Sequence, residues 1–249
     1  EMCESNGVTG IHEVVVGYDG IVVANATGAP QLDLSREQLW QALAKEVVVD
    51  GEVVENPNTM WSDIDGSLPA AEIEVLGPPP TSGTRDAFVE LVMEEGCADF
   101  VGDLDGDTAD RVCATMREDG AFVEAGENDN LIVQKLEANP AALGIFGFSF
   151  YDQNRDVVQA ASIGGVAPTF DSIADGDYPV SRSLYMYVKV AHVGVIPGLR
   201  EYVAEFVSDA ATGQDGYLTD RGLIPLPEER HEAQKAAAET MAATDFSNL

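Results

Sequence analysis

The chain has 249 residues, 45% hydrophobic and 23% charged, which is enough length and apolar content for one large domain or two lobes with real cores. Against 13 Lys and Arg stand 44 acidic residues, a formal charge of −31 that leaves no basic face for phosphate neutralisation and so excludes nucleic acid as a partner. Every apolar run is shorter than the roughly 18 residues a membrane-spanning helix needs.

The opening "EMCESNG" is polar from its first residue, so the expectation is a mature form, a processed form or a fragment. "IHEVVVGYDGIVVAN" (11–25) predicts two apolar strand segments broken at Gly17-Tyr18-Asp19-Gly20. "LSREQLWQALA" predicts a helix, with Ser35 as its cap and Gln38 in the capping-box position. "NPNTMWSDIDGSLP" is turn-rich, and "AEIEVLG" is a short alternating strand. It feeds "GPPPTSGTRDAFVELVMEEG" (77–96), three prolines and a small polar turn that run straight into a helix over 84–95. Phe88, Leu91 and Val92 share one face of that helix.

Farther on, "TADRVCATMRED" puts Ala109, Val112, Cys113 and Met116 at helical spacing. "AFVEAGENDNLIVQKLEANP" reads as a strand, a polar turn and a helix stopped before Pro140. The glycine-interrupted "ALGIFGFSF" predicts a buried strand, and "SRSLYMYVKV" predicts another. "PGLREYVAEFVSD" predicts a helix started by Pro197, with Leu199, Tyr202, Val203, Phe206 and Val207 on one face. "EERHEAQKAAAETMAA" predicts a surface-docked terminal helix. Strands and helices alternate, which makes the fold class α/β.

Chemistry concentrates at Ser82-Gly83-Thr84. The first amides of a helix lack internal partners, the helix dipole adds positive potential there, and a glycine lets an anion approach the backbone. Two hydroxyls can donate further hydrogen bonds, and Arg85 can add a charge-assisted contact to a tetrahedral oxyanion. The plainer alternative is that Ser82 or Thr84 only caps the helix while Arg85 faces solvent. The G-x-x-x-x-G-K-[ST] spacing of a nucleotide loop and the G-x-S-x-G pattern of a hydrolase elbow are both missing.

His12, His192 and His231 lie far apart without metal-ligand spacing, so they read as structural or surface residues, and no metal or cofactor is expected. "GDLDGDTAD" spaces Asp103, Asp105, Asp107 and Asp110 as calcium loops do, but Thr108 and Ala114 occupy the EF-hand positions for Gly and Glu. An acidic calcium-dependent binding or surface protein is therefore an alternative reading. A phosphoryl-handling enzyme on the same turn is another, although no base or metal can be assigned to it. Cys97 and Cys113 flank this acidic loop and can close it with a disulfide, leaving Cys3 over and pointing to an oxidising compartment.

"GPPPTSGTRDAFVELVM", "REDGAFVEAGENDNLIVQKLEANPAALGIFGFSFY" and "VAPTFDSIADGDYPVSRSLYMYVK" together resemble the periplasmic phosphate-binding protein of bacterial ABC-type phosphate importers. The resemblance covers essentially the whole chain. It implies a type II periplasmic binding protein, two α/β lobes joined by crossing strands with a ligand cleft, and a receptor rather than an enzyme. Lobe one would comprise 1–25 and 181–249, and lobe two 26–180 with the S-G-T turn. The family's serine, glycine and threonine carry over to Ser82, Gly83 and Thr84 as phosphate ligands. Its usual arginine position, four residues before the serine, holds Pro78 here, which moves that role to Arg85. Asn128, Asp129 and Asn130 form a second polar turn that either faces the ligand cleft or caps the next helix. The resemblance also implies a first βα unit with further ligands that this chain lacks, so a separate N-terminal segment is an expected partner. Inorganic phosphate and a membrane permease are the others, at the periplasmic or outer face of the membrane.

Overall fold

The computed structural model describes residues 5–126 and 128–246; Cys3, whose partner is open, lies outside them. The chain forms two compact units. One comprises Gly20–Ser172 and Gly176–Ser181, the other Glu1–Asp19, Ile173–Asp175 and Arg182–Leu249. The chain passes between them within β1 (Ile11–Ala26), an unbroken strand of 16 residues. The predicted break at 17–20 does not form. Gly17 serves close approach rather than a turn: a Cβ there would lie 2.6 Å from the Ile224 carbonyl, and the Tyr18 N–H donates to that same oxygen at 2.8 Å.

In the larger unit, β2 (Asp33–Leu34) leads into α1 (Arg36–Leu43), whose capping box is formed as the sequence predicts. Ser35 Oγ accepts the Gln38 N–H and the Gln38 side chain accepts the Ser35 N–H, so two end donors are satisfied reciprocally. Leu39, Trp40 and Leu43 are fully buried. The hairpin β3 (Glu46–Val49) and β4 (Glu52–Glu55) and the short α2 (Trp61–Ile64) follow, then β5 (Val75–Gly77).

Next comes α3, which runs from α-helical Gly83–Phe88 through a π turn, Val89–Glu94, to Glu95–Cys97. It is a little longer than predicted, and it buries Phe88, Val92 and Met93. A disulfide ties its end, Cys97, to Cys113 in α4 (Gly106–Ala114). The helices α1 and α3 pack so closely that a Cβ on Gly96 would lie 2.3 Å from the Arg36 carbonyl oxygen. Because the obstacle is backbone, it cannot rotate away. Gly96→Ala is therefore expected to destabilise this unit by about 2 kcal/mol, read as a lower urea midpoint at unchanged m-value.

The remaining elements of this unit are β6 (Phe122–Glu124), α5 (Asp129–Ala138), β7 (Leu143–Gly147), α6 (Phe148–Gln153), β8 (Val158–Ala160) and β9 (Ser162–Ile163). After β9 comes α7 (Phe170–Ala174). The single strand predicted for "ALGIFGFSF" is thus a strand and a helix. Gly147 is the last residue paired with β1 and becomes the helix N-cap, so the chain leaves the sheet there. β5 lies between β7 and β6 and is parallel to both, while β1 runs antiparallel to β7. A Cβ on Gly144 would lie 2.6 Å from Ile132, so α5 packs directly on β7 through that glycine.

In the smaller unit, β10 (Ser181–Lys189) lies beside β1. Val14, Val16 and Val188 form a core with Val203 and Val207 of the helical stretch that begins at α8 (Leu199–Phe206). Ala238 of α10 (Glu228–Thr240) and Met241 close that core. Between those helices sits α9 (Asp209–Thr212). Tyr202, predicted on the buried face of α8, is 57% exposed; Val203 and Val207 alone fill the inner line of that stretch completely, and Leu199 and Phe206 flank it.

Candidate functional site

In the larger unit, three parallel strands end at one sheet edge, at Gly77, Glu124 and Gly147. Each then feeds a helix: α3 beginning at Gly83, α5 at Asp129, and α6 at Phe148. Open α/β sheets bind ligands outside the carboxyl ends of their strands, because unpaired helix amides gather there.

At the first of these junctions Ser82 is extended (φ −92°, ψ 132°), and its Oγ accepts the Thr84 N–H at 3.3 Å. Its carbonyl accepts the Asp86 N–H at 3.1 Å, and its own N–H donates to Pro79 O at 3.0 Å. Ser82 therefore caps α3, as the plainer alternative has it, and the proline run is tied to the cap. Gly83 follows it, exposed, with nothing within 4 Å of where a Cβ would stand. The backbone there is open to approach, and Thr84 stands half-buried beside it.

At the second junction Asn128 also caps: its Oδ1 accepts from the Asn130 N–H at 3.1 Å and from Asn130 Nδ2 at 3.0 Å. The Asp129 carboxyl is half-buried, and burial pushes its pKa up.

Arg85 is placed differently from the sequence expectation. Its guanidinium lies over the Phe122 ring, 4.3 Å from the centroid, and Nη1 donates to Pro78 O at 3.4 Å. Its partners are thus a ring and a carbonyl rather than either hydroxyl of the turn. Burial lowers its pKa, and the charges of Glu124, Asp86 and Glu118 oppose that shift. Clefts of about 380 and 330 Å³ flank it, the first bordered by Asp86, Glu90 and Glu94 and the second by Glu118 and Glu124. Carboxylates in both clefts oppose an anion, and the turn lines neither. The sequence reading missed Phe122 altogether, and nothing in "AFVE" signals it as the seat of a cation 37 residues earlier in the chain.

The calcium-like loop is spent on structure as well. Asp105 Oδ1 accepts the Thr108 N–H at 3.1 Å and caps α4. Among the described residues, no trio of carboxylates from that loop converges. His12 and His231 are buried and His192 is exposed.

A family model described as a PBP superfamily domain matches residues 1–210. A protein of Staphylococcus haemolyticus named phosphate-binding protein PstS is 28% identical over 226 residues, covering 88% of this chain and 60% of that protein. The SphX protein of a Synechocystis strain is 26% identical over 244 residues, covering 94% of this chain and 62% of its own length. The chain therefore spans about three fifths of the length of the curated relatives it matches. Among solved structures, a possible phosphate-binding protein from Planctomyces limnophilus superposes with a TM-score of 0.65 at 24% identity, covering 96% of this chain and 75% of that one. An ABC-type phosphate transport receptor from Vibrio cholerae superposes with a TM-score of 0.64 at 20% identity, covering 90% and 76%. Both share the type II binding-protein fold of this chain. No helix among the described residues is long and apolar enough to cross a membrane.

Proposed function

The chain belongs to the PBP superfamily, and from that premise we propose that it is the receptor of an ABC-type importer and binds inorganic phosphate at the edge where β5 and β6 end. The observation that carries this is the Ser-Gly-Thr turn that starts α3. A helix N-terminus begins there with an exposed glycine between two hydroxyl residues, at the sheet edge where α/β folds take ligands. The names of the Staphylococcus and Vibrio proteins, a phosphate-binding protein and an ABC-type phosphate transport receptor, support phosphate as the ligand class, and a membrane permease as partner follows from the transport role we propose. Ser82, Gly83, Thr84, Arg85, Asn128 and Asp129 make up the ligand set contributed by this chain.

The net charge of −31 does not help capture, so binding rests on local dipoles inside the roughly 8 Å over which salt leaves charges effective. Arg85 joins the anion by leaving Phe122. Leaving gives up a cation–ring contact worth about 0.5–2 kcal/mol and the long hydrogen bond to Pro78 O, so the exchange is favourable when the guanidinium makes two charge-assisted hydrogen bonds to the anion, at about 1.5–3 kcal/mol each. A disulfide in the folded larger unit supports an extracytoplasmic location.

Calorimetric titration with inorganic phosphate, on the protein as its own cells make it, tests the reading. Thr84→Ala and Arg85→Ala are each expected to weaken phosphate roughly tenfold. Unchanged affinity in Arg85→Ala would leave the guanidinium as a strut for Phe122. Absence of any phosphate heat in the unsubstituted protein would reject the receptor.

A further inference from the structure

The smaller unit holds a constellation that the receptor reading does not use. Thr212 Oγ1 donates to the Phe206 carbonyl at 3.0 Å, which spends its only proton. Its contact with His231 Nε2, at 3.1 Å, must then be one in which the imidazole donates. In the neutral ring this puts the proton on Nε2 and leaves a lone pair on Nδ1. The ring is 6% exposed and cannot turn away.

Nδ1 faces Asp209 Oδ1 at 3.5 Å. In the neutral ring the Nδ1 lone pair points at the carboxylate, at a separation longer than a normal hydrogen bond. Two ligands about 2.1 Å from one tetrahedral ion stand about 3.4 Å apart, which is this spacing. Glu232 completes the group: the ligand atoms of Asp209, His231 and Glu232 all lie within 4.8 Å of one another, the one such trio among the described residues. A cation already serves the two carboxylates. Lys235 Nζ lies 2.9 and 3.1 Å from the Asp209 oxygens and 2.7 Å from Glu232 Oε1. Asp209 and Glu232 are 73% and 59% exposed, so sub-ångström adjustments cost them little.

We propose that Asp209, His231 and Glu232 form a binding site for a divalent transition-metal ion of the zinc class, with Lys235 standing in for the ion in its absence. One imidazole and two carboxylates suit such an ion, and a ligating histidine with its other nitrogen bound to a fixed acceptor is the usual outer-shell arrangement. The ion clamps α9 to α10, since Asp209 lies on one and the other two ligands on the other. The site is independent of phosphate, so the two readings fail separately.

Zinc titration followed by melting temperature tests it, with cobalt(II) absorption reporting the ligand field. Zinc is expected to raise the melting temperature of the unsubstituted protein. Lys235→Met should tighten zinc at least tenfold, and Asp209→Asn, at an exposed position that does not threaten folding, should weaken it at least tenfold and remove the cobalt bands. A zinc effect that survives Asp209→Asn would assign the metal to the general acidic surface and overturn the proposal. So would the absence of any zinc effect in both the unsubstituted protein and Lys235→Met, or an equal effect from calcium, which would leave the imidazole no part.

Discussion

Gly83→Glu is expected to yield a protein that melts no lower than the unsubstituted one and binds phosphate at least a hundredfold more weakly. The two effects separate because Gly83 has an ordinary negative φ and open space where a side chain would go. Losing a glycine from the unfolded chain contributes about 0.4–1 kcal/mol, and a carboxylate in the first helical turn adds about 0.3–1 kcal/mol through the dipole. The same carboxylate would lie beside the proposed anion. At about 5 Å and an effective dielectric of about 20, one unit of like charge costs about 3 kcal/mol, more than a hundredfold in affinity. Calorimetry and thermal melting on the same sample read both quantities. Full phosphate affinity in Gly83→Glu would place the anion somewhere other than the start of α3.

Replacing Cys97 and Cys113 together by serine is expected to cost the larger unit about 3 kcal/mol, while phosphate affinity changes less than threefold. The bridge spans 16 positions, and chain-entropy arithmetic for a loop of that size gives about 3 kcal/mol. It joins the end of α3 to α4, whereas the proposed site lies at the start of α3, at the opposite end of a continuous helix. Loss of stability without loss of affinity is therefore the signature. Both sulfurs are buried, with Cys97 1% and Cys113 7% exposed, so mild reductant on the folded protein should leave them paired. Equilibrium urea unfolding of the paired and double-serine forms measures the cost. A loss under 1 kcal/mol would mean that strain in the folded bridge offsets the constraint on the unfolded chain.

Helix starts were the most legible part of the sequence. Ser35 with Gln38, Ser82 ahead of Gly83-Thr84, and Asn128 ahead of Asp129 all cap the helices they precede. Each signal involves groups within about one turn, so the chain carries it wherever it folds. The strand read from "SRSLYMYVKV" and the helix read from the apolar spacing in 199–207 are found there. The Cys97–Cys113 bridge could be read from the loop its cysteines enclose.

The sequence by itself determined an α/β chain, the places where its helices begin, and one glycine-bearing turn suited to an oxyanion. Tertiary structure alone decided that 17–20 stays extended against Ile224, that Gly147 ends a strand and begins a helix, and that Arg85 rests on Phe122. It alone set Asp209 beside His231, 22 residues away. The division has a physical reason. Caps and periodicities are contacts between near neighbours and cost almost no loop closure, whereas the seat of a long side chain depends on which surfaces the packed core brings together.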